Sequence, residues 1–485
     1  MNDDILLNGL PALKIDENTF LLYAPHKNVI ISIPTEKIKD PDTIDYLRSM
    51  DIFKWSNTSY SNTAKNIVLN ITNKCNLFCS YCWANSSPFS NKNMSPETAL
   101  NIVKHYSDKE EIERIHFMGG EPTVNFETIK TVATFFHKQK TKNFPIYYIT
   151  TNGVVGNRKL EWLIENNFAF SISWDGLLSS SLRQRVQVNG DNNDEITRET
   201  ILKVANSELP LRVRMTVSNF NLDTLYESVS WLANNGVKYI HIEAVSPDGR
   251  GAEFSNNYAP APEQFANEFF KIVKLAEEKN VWLMNSHLAN LYSLRNYYCS
   301  SLTKQTYNIN VDGSISHCYK TQSSKDKLSD FFVVGYHSSN GKSIKIDETH
   351  SSILSRINVE KYNECENSPL KNIYSGGCPY RNRSASNSSN KVDKRLFNTS
   401  RIILREAILH IYNRALRGKT TALEGYVKFY NNLRKPEENK YNKPNVRNKK
   451  FYTGKLRNNH SVKFIPIPVS FNNVNIDVDA CDICI

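Results

Sequence analysis

The chain has 485 residues, of which 40% are hydrophobic and 22% are charged. This composition excludes a wholly disordered, collagenous or coiled-coil chain, and the length allows about three modules or one large barrel with additions. The net charge is +11, but residues 379–463 carry 21 basic and 5 acidic residues, so the basic charge is concentrated near the C-terminus. That segment is suited to steering an acidic peptide, or it is simply a solvated helix and tail.

Residues 1–62 predict a small α+β module. The alternating segments 20–25 and 28–34 indicate two strands, and residues 41–53 indicate a short helix. An exposed strand edge would suit capture of an extended leader peptide. A plain cap on the next domain explains so short a module equally well.

Residues 63–285 alternate short apolar β-rich runs with amphipathic stretches. This order predicts an α/β fold with a parallel sheet, either open or curled toward a barrel, and in a barrel function belongs at the carboxyl ends of the strands. The strand candidates are 67–72, 115–118, 146–150, 168–173, 211–217 and 239–244, and the helix candidates are 96–106, 125–139, 158–167, 222–235 and 262–279.

The alternation ends near residue 286. Residues 286–383 predict a loop-rich module, and residues 384–485 a basic extension. Within the extension we expect a linker at 384–395, a helix at 401–416 and an Asn/Lys/Pro-rich stretch at 434–460 with little capacity to pack.

The first ten residues are acidic where a signal peptide would be basic, and no apolar run approaches the ~20 residues that cross a bilayer. We therefore expect a cytoplasmic protein outside the membrane. Nine cysteines are too few for a disulfide scaffold, and their spacing suggests metal ligands.

Cys75, Cys79 and Cys82 lie within eight residues, directly after the first strand candidate of the alternating region. Three thiolates are one too few for a closed site, so an iron–sulfur cubane held there would keep one iron open to an exchangeable ligand. A zinc site or three incidental thiols are alternatives, although zinc usually takes two separated ligand pairs and a closed tetrahedron.

This triplet, with Tyr81 before its last cysteine, resembles the signature of the radical S-adenosylmethionine (SAM) superfamily. Three later motifs agree in order: FMGGEP at 117–122, ITTNG at 149–153 and SISWDG at 171–176. The resemblance implies a partial (β/α)6 TIM-like barrel with a small N-terminal α+β module and a loop-rich C-terminal cluster-binding domain. It also implies two cofactors, a [4Fe–4S] cluster with an open iron and SAM.

The same resemblance implies which residues bind SAM. Gly119 to Pro122 would form an edge against the methionine amino group, where glycine permits close backbone approach. Taken singly, each motif is also compatible with an ordinary turn, hairpin or salt bridge, and only their order favours function. The implied SAM-binding residues are Tyr81, Gly119, Gly120, Glu121, Pro122, Thr151, Asn152, Ser173, Asp175 and Arg214.

A second cysteine set, Cys299, Cys318, Cys365 and Cys378, resembles the SPASM extension of radical SAM enzymes that modify peptides and proteins. The match is partial, because Ser368 and Tyr374 stand where the family has further cysteines. The resemblance implies that Cys299, Cys318 and Cys378 bind one auxiliary [4Fe–4S] cluster and that Cys365 belongs to a second, depleted one.

Other ligand arrangements stay open, so the sequence predicts one or two auxiliary clusters. Cys365 would complete a single four-thiolate cluster with the other three cysteines, or Cys481 and Cys484 would fold back as replacement ligands. A flexible tail with two free thiols is an equal alternative.

The resemblance implies reductive cleavage of SAM to methionine and a 5′-deoxyadenosyl radical, which then abstracts hydrogen from a substrate C–H bond. Sulfatase-maturing relatives, which form formylglycine, carry an Asp directly after the second SPASM cysteine, but this chain has Tyr319 there. Tyr319 is a candidate proton-transfer group or a packing residue. We therefore predict modification of a ribosomally synthesised precursor peptide by a thioether, C–C or related cross-link, with formylglycine formation as the alternative.

A peptide-modifying enzyme of this kind would take its electron from flavodoxin or ferredoxin. Two alternative functions stay open beside it. RNA modification is one, because Tyr426, Phe429 and Tyr430 lie among basic residues, as base-stacking platforms would. The SPASM-like cysteines favour peptides over nucleic acid. A catalytically inactive metal-binding scaffold is the other, and the intact triplet and GGEP motif argue against it.

Overall fold

The computed structural model describes residues 3–56, 65–108, 112–138, 144–177, 184–187, 193–299, 302–386, 390–433, 453–455 and 461–469. Cys481 and Cys484 lie outside these residues, so their predicted roles stay predictions. Two sheets organise the fold, one with six strands and one with eleven. Among the described residues, no helix combines the length and apolar character needed to cross a membrane.

The N-terminal sheet is an antiparallel meander. The two predicted strands are present, and two more precede them. Residues 20–24 are all buried, so both faces of the sheet are covered at this strand. A short helix follows, which begins where the Asp40 side chain accepts the N–H of Thr43. These elements are β1 (Ile5–Leu7), β2 (Leu10–Asp16), β3 (Thr19–Ala24), β4 (Val29–Pro34) and α1 (Pro41–Ser49).

The far edge of this sheet is formed by the C-terminal part of the chain. Strand β17 (Ser461–Pro466) pairs antiparallel with β4, and β16 (Thr453–Lys455) pairs with β17. The stretch 434–460, expected to pack little, therefore contributes a strand. The outer edge of β4 is therefore occupied by β17, and capture of a leader peptide by strand addition stays a prediction. The sheet's remaining edges are β1 and β16.

The larger sheet confirms the predicted α/β core. All six predicted strands are present and parallel, and a seventh, three-residue strand extends the sheet beyond them. The strands are β5 (Asn66–Thr72), β6 (Arg114–Gly119), β7 (Ile146–Thr151), β8 (Ala169–Ser173), β9 (Leu211–Val217), β10 (Tyr239–Ala244) and β11 (Trp282–Met284).

The sheet continues past β5 into the loop-rich region. Strand β12 (Thr306–Ile309) pairs parallel with β5, and β13 (Ser314–Ser316), β14 (Val333–His337) and β15 (Ile344–Ile346) follow antiparallel. Strand order runs from β11 at one edge to β15 at the other, and the described strands form no closed barrel.

Helices cover the outer face of the parallel strands. The five predicted helices are present, and Asp194–Asn206 and Gly251–Tyr258 form two that the sequence pattern did not predict. They are α2 (Pro96–Ser107), α3 (Phe126–Lys138), α4 (Asn157–Glu165), α5 (Asp194–Asn206), α6 (Leu225–Asn234), α7 (Gly251–Tyr258) and α8 (Pro262–Lys279). Four short helices lie in the loop-rich region and at its end: α9 (Ser329–Phe332), α10 (Glu348–Leu354), α11 (Lys371–Tyr374) and α12 (Pro379–Ser386).

Two helices of the basic extension pack on the core. Helix α13 (Lys394–Ala415) includes the predicted helix but begins earlier, where the Asp393 side chain accepts the N–H groups of Arg395 and Leu396. Asp393 also pairs with Arg381 of α12 at 2.7 Å. The predicted linker at 384–395 is therefore wrong at both ends, because α12 and α13 each enter it.

Helix α14 (Gly425–Leu433) packs its aromatic rings against the parallel strands. The Phe429 ring lies 6.1 Å from Tyr148 and 5.3 Å from Tyr239, both on barrel strands, and Tyr426 lies 5.9 Å from His241. Tyr426 and Phe429 are buried and Tyr430 is partly buried. Buried rings cannot stack on bases, so the stacking platform expected for RNA is wrong for Tyr426 and Phe429.

Candidate active site

The three clustered cysteines occupy the loop after β5, at the carboxyl end of the parallel sheet. Backbone hydrogen bonds from other segments fix this loop: Cys75 N–H donates to Ser87 O at 3.1 Å, and Phe78 N–H donates to Val186 O at 2.7 Å. Cys75 is buried, while Cys79 and Cys82 are partly exposed. We call residues 75–82 the cluster loop.

Arg250, which the sequence analysis missed, holds the cluster loop from the side of β10. The Arg250 guanidinium donates to Cys79 O at 2.9 Å and to Ser86 O at 2.8 Å. The backbone N–H of Arg250 donates to Cys82 O at 3.0 Å. A Cβ on the preceding Gly249 would lie 2.3 Å from Trp83 O, and Gly249 has φ +56°. Only glycine fits so close an approach. The signal available in the sequence is a Gly-Arg-Gly run just beyond a barrel strand.

The GGEP motif packs against the start of the same loop. A Cβ on Gly119 or Gly120 would run into the carbonyl oxygens of Thr72 or Lys74, and Glu121 N–H donates to Lys74 O at 2.9 Å. The two glycines of the motif therefore allow its backbone to lie directly against the start of the cluster loop, and its predicted contact with SAM stays a prediction. Pro122 follows, buried at the start of a short 3-10 turn.

The Glu121 side chain is turned into the protein, where it ties two loops together. Its carboxylate accepts the hydroxyls of Thr123 (2.7 Å) and Thr151 (2.9 Å) and the N–H of Asn152 (2.8 Å). Burial raises the pKa of Glu121, and these donors act in the opposite direction. Glu121 therefore orients Thr151 and Asn152.

Asn152 connects this network to the first cysteine. Its Nδ2 lies 3.5 Å from the Cys75 Sγ and 2.7 Å from Asn76 Oδ1, and Leu77 N–H lies 3.4 Å from the same sulfur. N–H donors that face a sulfur stabilise its thiolate form and tune a bound cluster.

A buried polar cluster lies on the other side of the loop. The Tyr81 hydroxyl donates to Asp175 at 2.6 Å, and Arg185 donates to the Tyr81 hydroxyl at 3.2 Å and to Asn152 O at 3.1 Å. Burial raises the pKa of Asp175, while the Arg185 charge lowers it. Arg185 is a second residue that sequence reasoning missed, because its place beside Tyr81 depends on how the segment after β8 folds back.

Arg214 and Ser173 face each other across adjacent strands. They are register partners on β9 and β8. Arg214 Nη1 is buried and has no hydrogen-bond partner among the described residues. An unsatisfied buried guanidinium N–H is costly, and an anionic group such as a carboxylate would satisfy it.

These observations fit a [4Fe–4S] cluster and SAM. Three thiols share one loop with N–H donors and two arginines around it, the glycine edge borders it, and Arg214 offers an unused donor. Among the described residues, no three Cys, His, Asp or Glu side chains surround a single ion position. A cubane distributes its thiolates over different irons, so the three sulfurs need not meet at one ion.

Cys299, Cys318 and Cys378 are buried close to one another in the loop-rich region. The pKa of Cys318 is raised well above its usual value by burial and then by the nearby Cys378 and Cys299. Cys365 is also buried, but the charges that act on it come from Glu364, Lys371 and Glu360. Cys299 and Cys378 therefore lie near Cys318, and burial and then Cys365 together with Cys378 raise the pKa of Tyr374.

Tyr319 packs beside the first cysteine site. Its ring meets that of Trp83 edge-on at 5.2 Å and is 1% exposed. Next to it, Lys320 forms a buried ion pair with Asp248, two residues before Arg250. The loop after β10 therefore touches both cysteine sites. Tyr319 has the surroundings of a packing residue.

Comparison with known proteins identifies the central domain. Residues 69–232 match the Radical SAM superfamily. This part of the chain therefore resembles a radical SAM domain. No closer assignment follows from this match, which leaves the SPASM-like region outside it.

Relatives match parts of the chain. A Methanocaldococcus jannaschii protein, MJ0907, is 33% identical over 185 residues, which cover 38% of this chain and 63% of the relative. The radical SAM cyclopropyl synthase TigE of Paramaledivibacter caminithermalis is 33% identical over 129 residues (23% of this chain, 27% of TigE). The sporulation killing factor maturation protein SkfB of Bacillus subtilis is 25% identical over 195 residues, which cover 38% of this chain and 43% of SkfB. The matched regions thus span less than two thirds of each relative.

Solved structures share the fold over a larger part of the chain. The structure of native anSMEcpe with bound AdoMet superposes with a TM-score of 0.58 and 16% sequence identity, covering 72% of this chain and 98% of anSMEcpe. Streptococcus suis SuiB bound to precursor peptide SuiA superposes with a TM-score of 0.51 and 13% sequence identity, covering 81% of this chain and 99% of SuiB. At these identities the likeness concerns the fold alone.

Proposed function

We propose that this protein is a radical SAM enzyme that cleaves SAM reductively to a 5′-deoxyadenosyl radical and modifies a ribosomally synthesised peptide. The observation that carries the proposal is the cluster loop itself, with three cysteines beside a glycine edge and an unsatisfied Arg214. The product we expect is a thioether, a C–C bond or a related cross-link.

The chain's own residues would bind and orient the cofactors. Cys75, Cys79 and Cys82 would ligate three irons and leave the fourth for SAM. When bound, the cluster and SAM supply one electron and a carbon radical that abstracts hydrogen. Arg214 would donate to the SAM carboxylate, and the Gly119–Pro122 edge would face the amino group. Asn152 would donate toward the Cys75 sulfur.

Exclusion of water is the second contribution of the chain. Helix α14 packs Tyr426 and Phe429 against β10 and β7 and so covers that part of the sheet, and the cofactors would bind at the carboxyl ends of the strands. A carbon radical needs a covered site, because water and stray hydrogen donors would quench it. The substrate peptide would enter between these strand ends and the loop-rich module.

A peptide substrate is supported by three named proteins: TigE is a cyclopropyl synthase, SkfB a maturation protein, and SuiB was solved with a precursor peptide. The buried Cys299, Cys318 and Cys378 support one auxiliary cluster, which would accept an electron from the substrate radical. Cys481 and Cys484 are candidates for its missing ligand. Flavodoxin or ferredoxin would reduce the first cluster, and an oxygen-sensitive cluster favours a cytoplasmic location.

Cross-link formation is favoured over formylglycine formation and over RNA modification. Formylglycine formation would call for a carboxylate after the second auxiliary cysteine, and Tyr319 is buried there against Trp83. RNA modification loses its stacking platform because Tyr426 and Phe429 are buried.

The test is anaerobic reconstitution followed by assay of 5′-deoxyadenosine and methionine with dithionite as reductant. We expect cleavage by the wild-type protein and none after Cys75, Cys79 and Cys82 are all changed to alanine. Cleavage by that triple variant would overturn the proposal. Iron content reports the auxiliary site: about eight irons per chain mean two cubanes, and about four mean that the auxiliary cluster is absent.

The substrate is tested by mass spectrometry of short peptides encoded beside the gene. Each cross-link removes two hydrogens from the peptide, so its mass should fall by that amount only when SAM and reductant are both present. An unchanged mass for every adjacent peptide would argue against a peptide substrate even if SAM is cleaved.

A further inference from the structure

Three large apolar side chains are exposed around the cluster loop. Phe89 is 77% exposed, Phe78 41% and Val186 36%. Large apolar side chains are normally buried. A group of exposed ones at one place therefore marks an interaction site. We call Phe78, Phe89 and Val186 the loop patch.

Hydrogen bonds and a cation–π contact bring the three residues to one place. Phe78 N–H donates to Val186 O at 2.7 Å. The Arg250 guanidinium lies 4.1 Å from the centre of the Phe78 ring and donates to Ser86 O at 2.8 Å. Phe89 follows three residues after Ser86, in the turn where Ser90 N–H donates to Ser87 O. The patch is therefore one local surface.

This surface is the outer side of the predicted cluster. Phe78 lies between Cys75 and Cys79, and Ser87 O accepts the N–H of Cys75. Cys79 and Cys82 are themselves partly exposed. Electron tunnelling falls steeply with distance, so a protein that reduces this cluster gains most by docking on the surface directly over its ligands.

The surroundings of the patch carry positive charge. Lys74 and Lys92 are exposed, and their segments are joined by the hydrogen bond from Asn73 N–H to Lys92 O at 3.1 Å. Arg250 adds a third cation, and the exposed Glu253 on α7 offsets one of them. Apolar side chains within a basic rim suit an acidic partner, whose approach the charges accelerate.

We infer that the loop patch is the docking site of an acidic one-electron carrier protein of the flavodoxin or ferredoxin class. The inference rests on the proposed function, because it requires a cluster in the cluster loop. In the step concerned one electron leaves the reduced carrier, which is oxidised, and enters the cluster, which is reduced. No bond or proton is transferred. Such encounters are small and transient, so three apolar residues with a charged rim suffice.

The experiment compares two reductants on the same full-length, reconstituted protein. Phe89→Glu and Lys92→Glu change exposed residues outside the cofactor-binding machinery, and Tyr336→Glu, at a 53% exposed position on β14, is the matched control. With limiting reduced flavodoxin, both patch variants should cleave SAM about tenfold more slowly than wild type and the control. With dithionite all four proteins should agree within about twofold, because a small ion needs no docking surface.

A binding measurement supplies a readout besides activity. In a fluorescence titration, oxidised flavodoxin should bind the wild-type protein, and its affinity should fall as the salt concentration rises. At one salt concentration, it should bind the Phe89→Glu and Lys92→Glu variants about tenfold more weakly than the wild type. Equal flavodoxin-driven rates in all proteins, or equal losses with both reductants, would overturn the docking site alone. Absence of SAM cleavage by the wild type with dithionite would overturn the proposed function, and the docking site with it.

Discussion

Replacing Gly120 by alanine tests whether the cluster loop must lie against the end of β6. The backbone of Gly120 has no positive φ, so the substitution adds a methyl group without backbone strain. That methyl would lie 2.3 Å from Lys74 O and 3.0 Å from the Ser86 Cβ. Ordinary contact begins near 3.4 Å, so the chain next to Cys75 must move by about 1 Å.

The expected magnitude follows from that displacement. Overpacking against backbone costs roughly 1–3 kcal/mol of stability. A misplacement of about 1 Å at a reacting centre costs on the order of 100-fold in rate. We therefore expect Gly120→Ala to fold and to keep most of its iron, but to cleave SAM about 100-fold more slowly.

The assay is 5′-deoxyadenosine formation with dithionite, measured beside iron content and thermal unfolding. Gly156→Ala is the matched control, because a Cβ at Gly156 meets nothing within 4 Å. As Gly156 precedes α4 as its N-cap, alanine there should cost less than about 1 kcal/mol. Cleavage by Gly120→Ala within about twofold of the control would refute the close-packing argument.

Three further predictions concern the structure around the site. Lys320→Met should destabilise the protein by about 3–5 kcal/mol because Asp248 is left buried without its cation, and adding Asp248→Asn should recover much of that loss in urea unfolding. Phe429→Ala should cost about 3–5 kcal/mol in the same assay, since it removes a buried ring between α14 and the parallel strands, whereas an unchanged stability would mean that the ring is not buried. Burial raises the pKa of Glu277, but the hydrogen bond from His410 and the charges of His410 and Arg414 outweigh it and lower the pKa overall. The stabilisation by Glu277 should therefore be complete above pH ~4.3 and disappear as pH falls through the lowered pKa, so that Glu277→Gln is less stable than wild type at pH 7 but not at low pH.

Elements with a strong local pattern were predictable. The six parallel strands of the barrel are apolar β-rich runs bounded by turn residues, and their bounds in the structure differ from the predicted ones by at most one residue at either end. Strand β11 was missed because three residues are too few for a period to be recognised. Helix α5 was missed because its stretch, with two threonines and several charged residues, carries a weak apolar stripe.

The candidate site was predictable only where its residues share one motif. The spacing of Cys75, Cys79 and Cys82 predicted the cluster loop, whereas the GGEP edge was predicted only through the resemblance to a known family. Arg185 and Arg250 touch the loop from segments more than 100 residues away, and Arg250 reaches Cys79 O across 171 positions. Their roles depend on how the loops after β8 and β10 return over the sheet.

The sequence by itself determined the alternating α/β core and the three-thiol loop, because periodicity and ligand spacing are local properties of the chain. Tertiary structure alone decided two other matters: β17 covers the edge of β4, and α14 packs its aromatic rings against the parallel strands. Each of these depends on which distant surfaces bury the most apolar area and satisfy the most hydrogen bonds, a balance that no short stretch of sequence contains.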